Sequence, residues 1–421
     1  METSGISYKT SPIDTLPAEI LADVIERCLP RYTPSMWTTH NPRTKPFSIE
    51  ASHVCRRWRE IALGDPLIWS RIAICVPQVE MFESFLERSR ELPIHLRINF
   101  GLPSAWRSAL ASLTPTRQSL LWTMISRLAE SVQRCFKLEI SANDREIITT
   151  LSSVLSNVAA PNLKEFSFVK SGIWTISCTD SPIFGGGTPQ LSNAITVGIT
   201  YSSPWIRPIL KNLTYLSLRN VRESTMPNRR DFESLISASP SLTHLVLNDK
   251  CFESDFLSFD PIPIPTLVTL EIIYGDDDLL HFRELLTSLH IPALQCLSLQ
   301  LSLVLNLKQT DVHFIQIFVD TLRMKHYDHL RELRLFDIEL KFSTAYSLIY
   351  CIPSIEHVRC SEGSIIVPLV TRDEDLMRQY TFLQYFDLWP NLHTVSFGLA
   401  PGVASLRKLE GQWVRTPGSE A

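Results

Sequence analysis

The chain has 421 residues, 44% of them hydrophobic and 20% charged, with a formal net charge of −4. This is the composition of a globular chain with a sizeable core, not of a disordered one, and its mild acidity argues against a nucleic-acid partner, which calls for a basic footprint. No apolar run approaches the roughly 18 residues of a membrane span, so a membrane partner is not expected; the polar start, Met1 to Thr10, has no signal-like core, which makes cytoplasm, nucleus or both the expected compartment.

Residues 1–12 read as a disordered tail. The first helix opens at Leu16-Pro17, where Pro17 suits the N1 position and Glu19 faces the positive end of the helix dipole. Ile20, Leu21, Val24, Ile25, Cys28 and Leu29 recur at helical spacing as one apolar stripe, and Pro30 ends it. A second helix is expected after Ser48 as N-cap, with Ala51, Val54, Trp58 and Ile61 on one face and Arg56, Arg57 and Arg59 on the others. Asp65-Pro66 caps a third, which carries Leu67 and Trp69. These short helices hold more apolar surface than roughly 55 residues can hide, so the unit needs a partner. A helix with three arginines also suits a helix-turn-helix DNA reader, but no other basic run supports that reading.

Leu16-Pro17-x-Glu19-Ile20-Leu21, then Val54-Cys55-Arg56-Arg57-Trp58, then Pro66-Leu67-x-Trp69, resembles the F-box family. The resemblance implies an F-box over residues 13–72 that docks onto a Skp-family adaptor and, through it, onto a cullin-RING ubiquitin ligase. The implied adaptor-binding residues are Leu16, Pro17, Ile20, Leu21, Val24, Ile25, Leu29, Val54, Cys55, Trp58, Leu67 and Trp69. The link from Arg31 to Phe47, with Pro34, Pro42 and Pro46, is longer than the family's usual few residues.

Over residues 73–409 one pattern returns, Leu-x-x-Leu-x-Leu or a variant, often with a proline just ahead. Its copies are Leu163/Phe166/Phe168, Leu213/Leu216/Leu218, Leu242/Leu245/Leu247, Leu267/Leu270/Ile272, Leu294/Leu297/Leu299, Leu330/Leu333/Leu335 and Leu392/Val395/Phe397, with weaker ones at Leu191/Ala194 and Ile355/Val358. Helical stretches such as Asp231 to Ser239, Leu279 to His290, Val312 to Lys325 and Met377 to Leu388 lie between them. Strand then helix, repeated at about 22–37 residues, predicts an α/β fold: an irregular leucine-rich-repeat solenoid with parallel strands inside and helices outside. Ile94 to Phe100 and Phe136 to Ile140, after helices at Val79 to Arg90 and Gln118 to Arg134, start the array. The Asn or Cys expected after the third Leu is missing, so an asparagine ladder is not assumed. Ser171 to Pro189, with Gly185-Gly186-Gly187, and Phe252 to Pro265 read as inserted loops, and residues 410–421 as a fraying tail.

No motif argues for catalysis. Gly185-Gly186-Gly187 lacks the Lys-Ser/Thr of a phosphate loop, Asp276-Asp277-Asp278 lacks the distal Glu of a calcium loop, and His326, Asp328 and His329 have no further nearby ligand. The nine cysteines are scattered without a Cys-x-x-Cys pair; most fall among apolar neighbours and read as buried thiols. The expectation is a non-catalytic receptor subunit with no cofactor and no metal, whose repeat surface holds an unknown target protein. The alternative is a structural or regulatory scaffold outside any ligase. Residues flanking the apolar positions of each strand face away from the core, which marks Tyr215, Arg219, His244, Glu271, Arg334, Phe336 and Arg359 as candidate target contacts, with Arg and aromatic side chains as the anchors.

Overall fold

A computed structural model describes residues 12–29, 46–75, 78–101, 115–170, 181–219, 227–248, 261–274, 279–301, 310–325, 327–338, 347–348, 350–360, 391–397, 405–409 and 412–416. The fold is mixed α/β, and the chain divides into two compact units, Met1–Leu191 and Ser192–Ala421.

The first unit begins with helices α1 (Ala18–Arg27), α2 (Phe47–Ser52) and α3 (Arg56–Gly64), then a 3-10 turn, Pro66–Trp69. Ser48 does not cap a helix as expected; it lies buried inside α2, and Cys55, in extended conformation, separates α2 from α3. Arg59 closes this break, its Nε donating to the Ser52 carbonyl at 2.9 Å, while Arg57 Nη2 donates to the Leu16 carbonyl and ties α3 to the start of α1. Asp65 does cap the turn, its carboxylate accepting from Leu67 N at 2.9 Å.

Four parallel strands follow in chain order: β1 (Arg71–Cys75), β2 (Ile94–Asn99), β3 (Cys135–Ala142) and β4 (Glu165–Lys170). Their register aligns Ile72, Leu96, Leu138 and Phe166 in one buried row and Ile74, Ile98, Ile140 and Phe168 in the next. Each such side chain, fully buried, is worth roughly 1.5–3 kcal/mol. The connecting helices are α4 (Val79–Arg88), Pro115–Ser131 and Arg145–Leu155. The last, together with β1, has no counterpart in the sequence reading. Asp144 caps it by accepting from Glu146 N and Ile147 N.

The second unit repeats the pattern with eight parallel strands in chain order: β5 (Asn193–Val197), β6 (Tyr215–Arg219), β7 (His244–Asn248), β9 (Thr269–Tyr274), β11 (Cys296–Leu301), β12 (Glu332–Phe336), β13 (His357–Cys360) and β14 (Thr394–Phe397). The short strands β8 (Ile262–Pro263) and β10 (Leu289–His290) pair with each other. Leu216, Leu245, Leu270, Leu297, Leu333, Val358 and Val395 stand in one register and are all buried, so every copy of the repeat falls on a strand. Helices Arg229–Ser237, Leu279–Ser288 and Thr310–Lys325 match three of the expected ones; Met377 to Leu388 lies outside the described residues.

In place of an asparagine ladder, the turns are stapled by backbone and short polar side chains. At the start of β6, β7, β9 and β11 to β14 two successive N–H groups donate to one carbonyl of the preceding copy, for example Thr243 and His244 to Thr214, Gln295 and Cys296 to Val268, Arg331 and Glu332 to Gln295. Thr243 Oγ1 (3.1 Å to Thr214 O), Thr266 Oγ1 (2.9 Å to Leu242 O) and Ser354 Oγ (2.7 Å to Leu330 O) reinforce them. Backbone groups at the turns are thus satisfied by the neighbouring copy, as buried polar groups require.

Two expected loops are otherwise. Residues 183–186 form a 3-10 turn, in which Phe184 is fully buried at φ +57° and packs edge-on against Phe166 at 5.4 Å; Gly187 O accepts from Ala160 N. The phenyl burial outweighs the roughly 1–2 kcal/mol cost of a left-handed non-glycine residue. Of the tail expected to fray after Leu409, Gln412–Thr416 forms β16, which pairs antiparallel with β15 (Ser405–Leu409) beside β14; the remainder lies outside the described residues. The Ser171 to Asp180 and Phe252 to Asp260 parts of the expected loops lie outside the described residues.

Candidate interaction surfaces

The helical cap sorts its apolar residues into two sets. Leu21, Ile25, Leu29 and Trp69, expected on the docking surface, are instead buried inside the unit. Trp69 shows why: its indole N–H donates to the Ala62 carbonyl at 2.6 Å, its ring meets Phe85 edge-on at 5.0 Å, and the Arg88 guanidinium lies 4.3 Å above it. Trp69 therefore joins the 3-10 turn to α3 and α4, and its burial leaves nothing for a partner. Outside remain Ile20 at 49% exposure, Val54 at 61% and Leu67 at 45%, with Pro17 and Cys55 also exposed and Leu16, Val24 and Trp58 half-buried. An exposed Ile, Val and Leu on three neighbouring elements of one small cap is apolar surface that folding has not used.

The outward face of the first unit's sheet carries a cluster that sequence reasoning missed. Glu139, almost fully buried, sits 3.3 Å from His95 Nε2, 3.3 Å from Arg97 Nε and 3.2 Å from Lys137 Nζ, and Lys137 also pairs with Glu165 at 3.0 Å. Burial pushes the Glu139 carboxyl up, but the hydrogen bond from His95 and the charges of His95, Lys137 and Arg97 outweigh it and hold the group below the usual carboxylate range. The available signal was the alternation in His95-Leu-Arg97-Ile and Lys137-Leu-Glu139-Ile: charged residues every second place between apolar ones, in strands that pair in register.

On the second unit's outward face the register brings the expected target contacts together. Arg219 Nη2 pairs with Glu271 at 3.4 Å across the intervening β7, and its Nε donates to Ser217 at 3.1 Å. Arg334 grips Glu332 with both Nε (2.7 Å) and Nη2 (3.1 Å). Glu332 is held below the usual range because Arg334 and His357 outweigh its burial. Tyr215 and His244 lie as neighbours with ring centres 6.2 Å apart. Arg359 stands opposite Arg334 on β13. Phe336 departs from expectation: it is 9% exposed, covered rather than presented, so it is not an anchor. Arg219, Glu271, Arg334 and Arg359 are half-buried and His244 is exposed.

Cys135, Cys296 and Cys360 are buried, and burial pushes Cys296 and Cys360 up to about 12 and Cys135 higher still, so these thiols stay protonated at neutral pH. Among the described residues no group of His, Cys, Asp and Glu is placed to hold a metal, and no helix is long and apolar enough to cross a membrane. Asp328 and His329 are exposed; His326 and Asp276 to Asp278 lie outside the described residues. No family model matches the chain, and no curated protein matches it in sequence.

Proposed function

We propose that this chain is the substrate-recognition subunit of an SCF-type ubiquitin ligase, its F-box cap binding the Skp adaptor and its leucine-rich-repeat face holding a target protein. One observation carries the reading: Ile20, Val54 and Leu67, which occupy apolar positions of the F-box pattern, are the cap's large exposed apolar side chains alongside Ile13 and Leu63, while Leu21, Ile25 and Trp69 build its interior. A pattern that served folding alone would bury both sets. The strand-after-strand parallel order, with apolar residues of each copy in register, supports the solenoid part of the reading.

On this account the chain performs no chemistry. It holds the target near a ubiquitin-charged enzyme, and catalysis is the gain from proximity, with the reacting groups on other subunits. The test is affinity purification of the tagged full-length chain from cells. Adaptor and cullin are expected to co-purify with the wild type and to be lost from Ile20→Asp/Val54→Asp, which puts charges where apolar contact is needed. A wild-type preparation without adaptor contradicts the proposal.

A further inference from the structure

Three neighbouring strands of the second unit carry three polar side chains in one register row on the outward face: Glu271 on β9, Ser298 on β11 and Arg334 on β12. Each keeps one hydrogen-bonding group unspent among the described residues. Glu271 accepts from Arg219 through Oε1, which leaves Oε2. Arg334 donates to Glu332 through Nε and Nη2, which leaves Nη1. The Ser298 hydroxyl is 1% exposed and has no hydrogen-bond partner among the described residues. A buried hydroxyl in that state costs stability, so its retention calls for an explanation. Glu271 and Arg334, with one strand between them, stand roughly 10 Å apart at the backbone, and each pairs with a different partner rather than with the other. They flank a slot that has an acceptor on one side, a donor on the other and the short Ser298 side chain as its floor. The slot is electrically balanced, because Arg219 answers Glu271 and Glu332 answers Arg334. Arg359, next in the row, is engaged elsewhere and takes no part.

We propose that this slot takes the side-chain carboxamide of a glutamine or asparagine of the target protein. The inference rests on the reading of the second unit's face as the target surface and supplies its chemistry. A carboxamide is uncharged, so it leaves the balance of the two ion pairs as it is. It is also planar, with N–H donors at one end and an acceptor oxygen at the other. Its N–H meets Glu271 Oε2 and its oxygen meets Arg334 Nη1, and both bonds are charge-assisted. The Ser298 hydroxyl donates to the same oxygen, which can accept twice. Charged side chains of similar length fail here: a glutamate brings acceptors only and meets Glu271, a lysine brings donors only and meets Arg334. A site built around both bonds rejects either, because one of its own groups is then left unpaired. Ser298 lies out of reach of water between longer neighbours, but the Glu271 and Arg334 side chains are 27% and 32% exposed, so an amide that parts them reaches all three groups.

The experiment measures fluorescence anisotropy of labelled decapeptides with the full-length chain, alike except at alternate positions, which hold glutamine, glutamate or lysine. The glutamine peptide is expected to bind tightest and, being uncharged at those positions, to depend little on salt. Ser298→Ala is expected to weaken its binding about threefold to tenfold without lowering the urea midpoint, since the hydroxyl has no partner to lose in the free chain. Glu271→Gln is expected to weaken it by about tenfold or more, and the exposed control Arg145→Gln not at all. The urea midpoints report that the variants are folded, and Glu271→Gln decides the matter if Ser298→Ala is not. Equal binding by wild type and the slot variants, an equal loss in Arg145→Gln, tighter binding of the glutamate or lysine peptide, or no binding of the glutamine peptide overturns the proposal. No adaptor enters this assay, so failure here is distinguishable from failure of the ligase reading.

Discussion

Replacing Glu139 by Gln removes the one carboxylate that Arg97 and Lys137 share with His95, at contact distances of 3.2–3.3 Å. At an effective dielectric near 20 each full charge contact is worth on the order of 4–5 kcal/mol before the cost of burying the charges. That cost offsets most of the gain while the network is intact, but the variant keeps Arg97 buried beside an uncharged amide while Lys137 retains only Glu165, so the expected destabilisation is about 3 kcal/mol. Urea is the denaturant of choice, since guanidinium would screen the charges. With a slope of roughly 1–3 kcal/mol per molar, the midpoint followed by tryptophan fluorescence falls by about 1–3 M. The folded-state pKa of Glu139 is depressed, so its contribution is fully present above the unfolded value near about 4.3 and is lost as pH falls through the lower folded value. The gap between wild type and Glu139→Gln is therefore present at about pH 5 and above and closes as the pH falls below that. A variant as stable as wild type at pH 7, or a gap that persists in acid, refutes the reasoning.

Trp69→Phe keeps an aromatic ring but deletes the N–H to Ala62 and leaves a cavity where the rest of the indole stood, so it is expected to cost about 2–4 kcal/mol in urea denaturation while leaving adaptor affinity unchanged. An affinity loss without a stability loss would return Trp69 to the docking surface. Lys325 Nζ donates to the carbonyls of Thr287 (2.6 Å) and Leu289 (3.0 Å) at the end of the preceding helix. Lys325→Met leaves both without that donor and should cost about 1–3 kcal/mol, with faster amide exchange in residues 285–290 as the local readout.

The strands were legible because their signal is redundant: Leu-x-x-Leu-x-Leu places three side chains inward, and the register Leu245, Leu270, Leu297 repeats it across neighbours. The helix Arg145–Leu155 was missed although Asp144 and Glu146 mark its start, because no repeat copy precedes it. The cap was legible as a pattern but not as a division of roles. Ile20 and Leu21 are adjacent in the stripe, and only the packing of α1 against α3 decides that Leu21 is inside and Ile20 outside. Phe184 was hidden by its neighbours: three glycines suggest an open loop, whereas the turn closes over a phenyl ring that the sequence gives no reason to bury. Glu271, Ser298 and Arg334 show the converse, since they are far apart in sequence and become neighbours only through the strand register.

The most direct test of the central claim is a calorimetric titration of purified Skp adaptor into the full-length chain, wild type against Ile20→Ala/Leu67→Ala. Each side chain is about half exposed, so an interface gains roughly 1 kcal/mol from covering each, half of the value for full burial. The double variant is expected to bind about thirtyfold more weakly while remaining folded, its urea midpoint lowered only by the loss of the half of each side chain that the free cap already covers. Equal affinities for the two proteins, or no binding by the wild type, would contradict the account.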